Sequence, residues 1–402
     1  MKNSNSEEKY LTITELEYEI KSSKFDINNL LKIRGYQNKP LNFDQAYLLG
    51  IFALSSYVTQ IKHLFDLPIE MREKQSIAAL CTFHNKATYE KKGSEEQIAG
   101  ICAAVFDYDV GTSASGFILP TKEVMDNCGM GGDLCKTPNL STIAALIASA
   151  DGIAMVKHGS PGNTDNVGSS DFLAYCGVNL FPEKAMIQNA VQKLNFAYTD
   201  ALDENYKRIH TQTHRSARLA HMNDIIGPIT NPVDPKYMKK RVLGINHLIS
   251  PEKVALAYKI LNEKEVTYVD QGLFIRGFSD INRNGGIDEV SIMSGGTLVA
   301  ELRSGEVTTY NLFAKDFGLD EITPEQLDPG KNKAQTSRDI LQGDSTDGHR
   351  DSALANASIL FYLSQGLTFK EGVEKASEIL TLGKPYELLQ DYAKFTTRGD
   401  LK

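Results

Sequence analysis

Residues 128–171 combine a glycine-rich loop, a polar helix start and a short apolar run in one stretch of the chain. The stretch reads Cys-Gly-Met-Gly-Gly-Asp from Cys128, Asn-Leu-Ser-Thr from Asn139, Lys-His-Gly-Ser from Lys157 and Gly-Ser-Ser-Asp from Gly168. Its pattern predicts strands at residues 124–127 and 153–157, with a helix at 141–150 between them. Strands that alternate with helices in this way predict a mostly parallel sheet, which restricts the chain to an α/β architecture.

Residues 42–108 lack this alternation, and their apolar side chains recur at helical spacing with few turn residues between them. Ser94 and Gln97 form the Ser-x-x-Gln pattern of a capping box, so we expect Ser94 to cap a helix at residues 98–106. The first ~35 residues are polar and predict a partly helical extension. The domains predicted on this side are a polar extension at 1–40 and a small all-helical domain at 41–115 with a return segment near 181–225.

The remainder of the chain, residues 116–402, is predicted to form a larger α/β domain whose central sheet is mostly parallel and flanked by helices. Pro182 is a suitable first-turn residue for one helix, and Ser304-Gly305 is a suitable hairpin turn. The further predicted elements are strands at 241–246 and 266–270, helices at 182–194 and 251–262, a hairpin of 297–303 with 306–310, and helices from His349 onward.

The composition excludes several classes of protein. The 402 residues are 41% hydrophobic and carry a net charge of −8, which argues against general nucleic-acid binding. No apolar run reaches the length of a membrane span, and residues 1–10 lack the apolar core of a signal peptide, so a cytoplasmic protein is expected. The five cysteines are scattered, which argues against a disulfide framework.

The glycine loop and the helix start after it contain the groups that a phosphate ligand needs. Gly129, Gly131 and Gly132 can adopt backbone angles closed to other residues and bring main-chain N–H groups close to an anion. The helix start at residues 139–142 offers free N–H groups and two hydroxyls, of which that of Ser141 could also bind a metal ion. The loop is neither a Walker loop nor a dinucleotide fingerprint, and a glycine loop alone is more often a plain turn.

Further candidates follow in the same stretch. Lys157 ends the predicted strand, and the carboxyl ends of parallel strands line the ligand crevice of an α/β sheet. A lysine there can balance phosphate charge, although a lone lysine at a strand end is usually solvated. His158 is a candidate acid or base, with a structural hydrogen bond as the more common role. Ser169 and Ser170 are expected to cap a helix that Gly177 ends, with phosphate contact as the sharper alternative for Ser169.

Two motifs lie outside this stretch. Asp288 and Glu289 follow a pair of glycines, and on a loop adjacent carboxylates can converge on a hard cation such as Mg²⁺. An isolated acidic pair is otherwise ordinary surface charge, so the choice depends on a diphosphate ligand in the same crevice. Residues 227–232, Gly-Pro-Ile-Thr-Asn-Pro, predict a rigid polar loop that forms a domain hinge, the floor of an acceptor pocket or a plain tight turn.

Together these motifs resemble those of the anthranilate phosphoribosyltransferase family, within the larger group that includes the pyrimidine nucleoside phosphorylases. The Gly-x-Gly-Gly-Asp, Asn-x-Ser-Thr, Lys-His-Gly, Gly-Ser-x-Asp, Gly-Pro-x-Thr-Asn-Pro and Asp-Glu motifs occur in the family's order, and the resemblance extends from Leu41 to Phe395. It implies a small helical domain and a larger α/β domain, with the site in the cleft between them. It also implies a homodimer joined through the helical domain.

The resemblance assigns site residues position by position. The donor would be 5-phosphoribosyl diphosphate bound with Mg²⁺, and the Mg²⁺ ligands would be Ser141, Asp288 and Glu289. No residue is expected to act as a nucleophile or a strong base, and Lys157 would act electrostatically on the leaving diphosphate. The substrate-binding residues implied are Gly129, Gly132, Asp133, Thr137, Asn139, Leu140, Ser141, Thr142, Lys157, His158, Gly159, Ser160, Ser169 and Arg215.

The chain departs from the family pattern on the acceptor side. The family usually reads Lys-His-Gly-Asn-Arg, whereas this chain has Ser-Pro at positions 160–161, and the loop at 162–166 is altered as well. The family also has an arginine that pairs with the carboxylate of anthranilate. Ungapped counting places His214 at that position, with Arg215 beside it and Arg218 as a further candidate.

The expected function is therefore Mg²⁺-dependent transfer of a phosphoribosyl group from 5-phosphoribosyl diphosphate to anthranilate, a step of tryptophan biosynthesis that releases diphosphate. The departures leave open the same donor with a different aromatic or nitrogenous acceptor. A nucleoside phosphorylase is a further alternative, although residues 157–162 do not follow its Lys-x-Ser-Gly-Arg-Gly pattern. A non-catalytic relative that binds nucleic acid is disfavoured by the acidic charge and the intact motifs. The expected partners are the donor and a small aromatic acceptor, with neither nucleic acid nor membrane.

Overall fold

The computed structural model describes residues 9–162, 167–210 and 220–398. Its strands are β1 (Val124–Gly129), β2 (Met155–Gly159), β3 (Phe196–Asp200), β4 (Met238–Gly244), β5 (Gln271–Phe278), β6 (Gly286–Ile287), β7 (Thr297–Arg303) and β8 (Glu306–Leu312). Its helices are α1 (Ile13–Ser22), α2 (Ile27–Ile33), α3 (Phe43–Leu54), α4 (Ile69–Thr82), α5 (Lys86–Tyr89), α6 (Ser94–Val105), α7 (Leu140–Ala150), α8 (Ser169–Tyr175), α9 (Lys184–Leu194), α10 (Asn223–Ile229), α11 (Pro251–Glu263), α12 (Pro324–Leu327), α13 (Lys333–Gln342), α14 (Asp347–Gln365), α15 (Phe369–Thr381) and α16 (Lys384–Arg398).

The strands form one sheet in the order β3-β2-β1-β4-β5-β7-β8, with the short β6 paired to β5. β1 to β5 run parallel, whereas β6, β7 and β8 join in antiparallel pairs. The predicted mostly parallel sheet flanked by helices is therefore confirmed. The predicted hairpin is confirmed as well, because Ser304 and Gly305 have φ angles of 51° and 81°, the backbone of a tight two-residue turn.

Buried side chains form two clusters, one on each face of the sheet. Val242 and Leu243 are neighbours on β4, and because they point to opposite faces they belong to different clusters. One cluster gathers α7, α9 and α13 to α16, and the other gathers α1 to α6 with α10 and α11. The helical region therefore shares its core with one face of the sheet, and the extension joins it through the fully buried Leu16.

Close packing of α3 against α6 depends on two glycines. A Cβ atom on Gly100 would lie 2.3 Å from the Phe43 carbonyl oxygen, and one on Gly50 would lie 2.6 Å from Ala104 Cβ. The helical character predicted for residues 42–108 is confirmed. None of the helices in the described ranges combines the length and apolar character that crossing a bilayer requires, and all five cysteines are free thiols, as expected.

The predicted cap at Ser94 is wrong. α6 already includes Ser94, and its N-cap is Gly93. The Ser94 hydroxyl donates to the Tyr89 carbonyl at 2.8 Å, while Gln97 Oε1 accepts a hydrogen bond from Leu41 N at 3.0 Å. Both side chains of the local motif thus bind chain segments that precede the helix, and they do not bind each other's backbone.

Other predicted elements are displaced. Residues 266–270 are not a strand; β5 begins at Gln271, because both side-chain groups of Asn262 bind the backbone of Val269 and remove it from the ladder. Pro182 precedes α9 and is not in its first turn. Helices return earlier than expected, since α12 and α13 come before the predicted start at His349.

Candidate active site

The predicted site residues converge on one cleft at the carboxyl ends of β1 and β2. Leu140 does not line it: its side chain is fully buried in the core. Thr142 is also fully buried, and its Oγ1 donates to Ser169 Oγ at 3.1 Å. The predicted residues that line the cleft are Gly129, Gly132, Asp133, Thr137, Asn139, Ser141, Lys157, His158, Gly159, Ser160, Ser169, Asp288 and Glu289.

The glycine loop encloses the Asp288 carboxylate. Gly131 N donates to Asp288 Oδ2 at 2.7 Å, and Asp288 N donates to Asp133 Oδ1 at 2.7 Å. Gly131 and Gly132 have φ angles of 70° and 79°, a region that favours glycine. A Cβ atom on Gly129 would lie 2.1 Å from Asp288 Oδ2, so the absence of a side chain there lets the carboxylate lie against β1.

Three carboxylates share this end of the cleft. Burial raises the pKa of Asp133 well above its usual range, and the neighbouring Asp288 raises it further. Burial and the charge of Asp288 raise the pKa of Glu289 to about 8, against a smaller lowering from Lys157. Glu289 Oε1 also accepts a hydrogen bond from Ser141 N at 3.1 Å. Carboxylates held this close and away from water are stabilised by a cation.

This set of oxygen ligands fits a hard divalent cation whose coordination a substrate completes. Among the residues that the structure describes, no group of three or more His, Cys, Asp or Glu side chains is placed so that it could hold a metal ion by itself. Mg²⁺ is usually held by one or two carboxylates together with substrate phosphates, and not by an all-protein cage. Asp288 and Glu289, with Ser141 next to them, match that open kind of site.

Lys157 lies in the middle of β2 and not at its end, because the strand continues to Gly159. Its side chain is buried, and its Nζ donates to the Asn127 carbonyl of β1 at 2.7 Å. An ammonium group has three hydrogens, so this bond leaves donors for an anion in the cleft. The predicted cation therefore lies at the floor of the cleft and is not an ordinary solvated lysine.

Ser169 and Ser170 do not cap α8, contrary to the prediction. The helix begins at Ser169, its N-cap is Gly168, and the Asp171 carboxylate accepts a hydrogen bond from Gly168 N at 2.8 Å. The Ser170 hydroxyl instead donates to Asp200. Asp171 thus takes the capping role, and Ser169 lines the cleft.

Asn139 is held by a helix that the sequence did not predict. Ser337 of α13 accepts a hydrogen bond from Asn139 N at 2.9 Å and donates one to Asn139 Oδ1 at 3.1 Å. Lys333, at the start of the same helix, lines the cleft. Neither residue belongs to a motif, and α13 is a polar helix with no local feature that marks a ligand site.

His158 is a neutral, fully hydrogen-bonded histidine. Burial lowers its pKa well below the usual range, and the charge of Lys207 acts in the same direction. Its Nδ1 lies 2.9 Å from Thr199 Oγ1, and its Nε2 lies 3.0 Å from Lys207 Nζ. Because an ammonium group only donates, Nε2 is the acceptor and the ring proton is on Nδ1. His158 therefore has the structural role that the sequence analysis gave as more common than that of an acid or base.

A buried ion pair that sequence reasoning missed lies beneath the site. Asp126 accepts hydrogen bonds from Arg241 Nη2 at 2.8 Å, from Asn231 Nδ2 at 3.1 Å and from His158 N at 3.0 Å. Arg241 also donates to the Ile229 carbonyl at 2.6 Å. The available signal was an acid and a base inside strands that are otherwise buried, since such charges persist only when they are paired.

The Gly-Pro-Ile-Thr-Asn-Pro segment begins as helix and is not a loop throughout. α10 includes Gly227 and Pro228, and both residues line the cleft. His210 and Asp224 line it with them. We call these four residues the acceptor wall, because they lie on or within four residues of the two segments that the sequence associated with the acceptor. α10 packs against the helical region through its buried Ile225 and Ile226.

Part of the predicted acceptor side lies outside the described residues. This applies to His214, Arg215 and Arg218, and to residues 163–166 of the altered loop. Ser160 is described: it is half-buried and lines the cleft.

Comparison with known proteins agrees with this geometry. A family model described as "Glycosyl transferase family, a/b domain" matches residues 121–386. An anthranilate phosphoribosyltransferase from Helicobacter pylori (strain G27) is 33% identical over 277 residues, which are 67% of this chain and 76% of that protein. The chain belongs to the anthranilate phosphoribosyltransferase family. Another member, from Shewanella sp. (strain ANA-3), is 30% identical over 363 residues, 88% of this chain and 97% of the relative.

Membership makes this chain a glycosyltransferase of the pentosyltransferase class.

Solved structures of the family share its fold. The anthranilate phosphoribosyltransferase of Thermus thermophilus has a TM-score of 0.70 at 24% identity and covers 93% of this chain and 100% of its own. The enzyme from Saccharomyces cerevisiae in complex with PRPP and Mg has a TM-score of 0.67 at 22% identity. It covers 89% of this chain and 94% of its own.

Proposed function

We propose that this chain transfers the phosphoribosyl group of 5-phosphoribosyl diphosphate to anthranilate and releases diphosphate. The observation that carries the proposal is the cluster of Asp133, Asp288 and Glu289, which shares one cleft with the buried ammonium group of Lys157. Relatives with the name of this activity support it, as does the yeast relative solved with PRPP and Mg.

The donor would be bound by backbone and hydroxyl groups of the chain. The dipole at the start of α7 favours a phosphate beside Asn139 and Ser141, both of which line the cleft. Gly132 adds a main-chain N–H group, and Ser141 and Ser169 add hydroxyls that face the cleft. Lys157 would offset the negative charge that develops on the leaving diphosphate.

Asp288, Glu289 and Ser141 would hold Mg²⁺, which when bound neutralises charge on the diphosphate oxygens. In the transfer, the bond from the anomeric carbon to the diphosphate oxygen breaks, a bond from that carbon to the acceptor nitrogen forms, and the nitrogen releases one proton to solvent. The chain contributes mainly by positioning the two reactants. An aromatic amine is a nucleophile without prior deprotonation, which is consistent with a neutral His158 whose two ring nitrogens are already hydrogen-bonded.

A different aromatic or nitrogenous acceptor is the second candidate, and Ser160 is the observation that favours it. Ser160 lines the cleft at the position where the family usually has an asparagine. Serine is shorter and lacks the amide, so one contact to the acceptor changes while the donor residues remain.

The decisive assay mixes the purified protein with 5-phosphoribosyl diphosphate, Mg²⁺ and anthranilate, and follows anthranilate fluorescence together with diphosphate release. Loss of fluorescence with equal release of diphosphate is the expected result. Donor binding without turnover of anthranilate would support the second candidate. No donor binding and no release with any acceptor would contradict the transferase itself.

A double substitution tests the acidic cluster. Asp288→Asn with Glu289→Gln removes both negative charges, so Mg²⁺-dependent turnover is expected to fall by at least about 100-fold. Asp320→Asn with Glu321→Gln is a matched control, because this adjacent acidic pair is exposed and lies outside the cleft. Near-normal rates in the first variant would remove the metal assignment.

The domain limits, the homodimer and the cytoplasmic location stay predictions.

A further inference from the structure

We propose that Lys207 is a positioning residue that holds the acceptor wall on the donor strand β2. The proposal rests on the proposed function, because it takes the acceptor to bind against the wall formed by His210, Asp224, Gly227 and Pro228. Lys207 itself does not line the cleft, and no motif marked it in the sequence. Its role would be to set the distance between the two reactants and not to touch either of them.

The Lys207 side chain joins separate parts of the fold at one buried point. It is 1% exposed, and its Nζ donates to the Gly227 carbonyl at 2.9 Å and to the Thr230 carbonyl at 3.0 Å. It also donates to His158 Nε2 at 3.0 Å. The first two acceptors belong to the end of α10 and the residue after it, and the third belongs to β2, next to Lys157. One ammonium group therefore links the acceptor wall to the strand that carries the donor-binding lysine.

The chain around Lys207 is fixed from two further directions. The Asp109 carboxylate accepts hydrogen bonds from Arg208 N at 3.0 Å and from Ile209 N at 2.9 Å. Asn223 Nδ2 donates to the Ile209 carbonyl at 3.1 Å. Asp109 lies in the π-helical turn that follows α6, so the helical region also holds this segment. Lys207 thus lies in a fixed segment of the chain, and that segment leads to His210 in the cleft.

The number of acceptors explains why a lysine occupies this position. An ammonium group has three hydrogens, and its three shortest hydrogen bonds are to His158 Nε2 and the carbonyls of Gly227 and Thr230; Thr230 Oγ1 is a fourth, longer acceptor at 3.2 Å. A neutral amine has only two hydrogens, so deprotonation would remove one of the three donated hydrogen bonds. An apolar side chain would leave His158 Nε2 and the Thr230 carbonyl buried without this donor.

The surroundings of Lys207 make this deprotonation accessible near neutral pH. Burial lowers the pKa of Lys207 to about 8, and the positive charge of Arg241 acts in the same direction. Asp109, Cys128 and Cys102 act in the opposite direction, with Asp109 the strongest of them. The fifth group that faces Lys207 is His158, which is neutral and accepts one of its hydrogen bonds.

The residues of the donor site have their own contacts, which do not include Lys207. Asp288 and Glu289 bind the glycine loop and the start of α7, and the backbone of His158 is separately held by Asp126. Loss of the Lys207 ammonium group is therefore expected to displace the acceptor wall and to leave donor binding unchanged. A residue with only a general structural role would weaken both.

The test compares Lys207→Met with the wild type. The KM for anthranilate is expected to rise at least about 10-fold, because small displacements of a reactant cost large factors in rate. The dissociation constant of 5-phosphoribosyl diphosphate with Mg²⁺, measured by calorimetry, is expected to change less than about twofold. Lys240→Met is the matched control, since Lys240 is half-buried on β4 and donates to the Leu363 carbonyl at 2.7 Å, outside the cleft. An unchanged KM in Lys207→Met, or equal weakening of donor and acceptor, would overturn the proposal.

A pH profile adds a readout that a structural role would not move. The wild-type KM for anthranilate is expected to rise between pH 7 and pH 9 with a midpoint near the Lys207 pKa of about 8, whereas the Lys207→Met profile is expected to be flat over that range. If Lys207→Met does not fold, Lys207→Gln keeps two N–H donors without a titrating charge and is expected to give a raised, flat KM. Parallel profiles in wild type and variant would contradict the role of the ammonium group.

Hydrogen exchange separates this proposal from the identity of the acceptor. Amide exchange of residues 223–230 is expected to accelerate in Lys207→Met, while that of the donor loop at 128–133 stays unchanged. A wild-type protein that binds the donor but does not use anthranilate would contradict the proposed acceptor, and the exchange result would still decide the role of Lys207. Unchanged exchange at 223–230 would overturn it.

Discussion

Replacing Gly129 with alanine is expected to displace the Asp288 carboxylate while leaving the strand backbone intact. Gly129 is the last residue of β1, and its φ is not in the left-handed region, so alanine can adopt the same backbone. The new Cβ would lie 2.1 Å from Asp288 Oδ2 and 2.7 Å from its Cγ. Non-bonded carbon and oxygen atoms rarely approach closer than about 3 Å, so the carboxylate has to retreat by about 1 Å.

The size of the effect follows from that displacement. A retreat of about 1 Å breaks the hydrogen bond from Gly131 N to Asp288 Oδ2, which is 2.7 Å long. A hydrogen bond to a charged group contributes about 1.5–3 kcal/mol, and a misplacement of about 1 Å at a reacting centre costs on the order of 100-fold in rate. A 100-fold loss corresponds to about 2.7 kcal/mol. The two figures agree, so kcat/KM for the donor is expected to fall about 100-fold.

The assay measures kcat/KM for 5-phosphoribosyl diphosphate over a range of Mg²⁺ concentrations, with calorimetric binding of the Mg²⁺–donor complex and a thermal melt. Gly152→Ala is the control: a Cβ atom there meets nothing within 4 Å, although its φ of 91° makes alanine strained. That variant is expected to lose stability and keep its kinetic constants. A Gly129→Ala protein with kcat/KM within about threefold of wild type and an unchanged Mg²⁺ dependence would refute the steric argument.

Three further substitutions probe the charges of the cleft. Because the pKa of Glu289 is raised to about 8, a proton must leave before a cation binds. Calorimetric affinity for Mg²⁺ with the donor should therefore rise up to pH 8 and level off above it, and Glu289→Gln should abolish that dependence. The same raised pKa means that the free protein loses stability as pH rises from about 4.5 to about 8, which urea unfolding at several pH values will test. Asp126→Asn leaves Arg241 buried without its charge partner and is expected to cost about 3–5 kcal/mol in urea unfolding; a loss below about 1 kcal/mol would contradict the ion-pair assignment. Lys157→Met is expected to raise the dissociation constant of the donor at least about 10-fold, and equal affinity in the variant would exclude Lys157 as a donor contact.

Elements defined by nearby residues were predicted well from the sequence. α11 begins with Pro251 in its first turn, as the pattern indicated, and the Ser304-Gly305 turn closes its hairpin. The predictions fail where a hydrogen bond to another segment of the chain replaces the local hydrogen bond that the pattern indicated. Ser94 binds Tyr89 and does not cap its helix, and the Val269 backbone binds the Asn262 side chain and does not enter the sheet. Such competition depends on the folded arrangement and leaves no local pattern.

The proposed donor site was predicted from the sequence alone, because phosphate and Mg²⁺ binding require glycine loops, helix starts and carboxylates that remain recognisable as short motifs. Only the tertiary structure decided how these motifs act together. It brings Asp288 against Gly131, places Ser337 on Asn139 and buries Lys207 between His158 and the acceptor wall. These contacts join residues far apart in the chain, and their strength comes from burial, which depends on packing and cannot be read from any one segment.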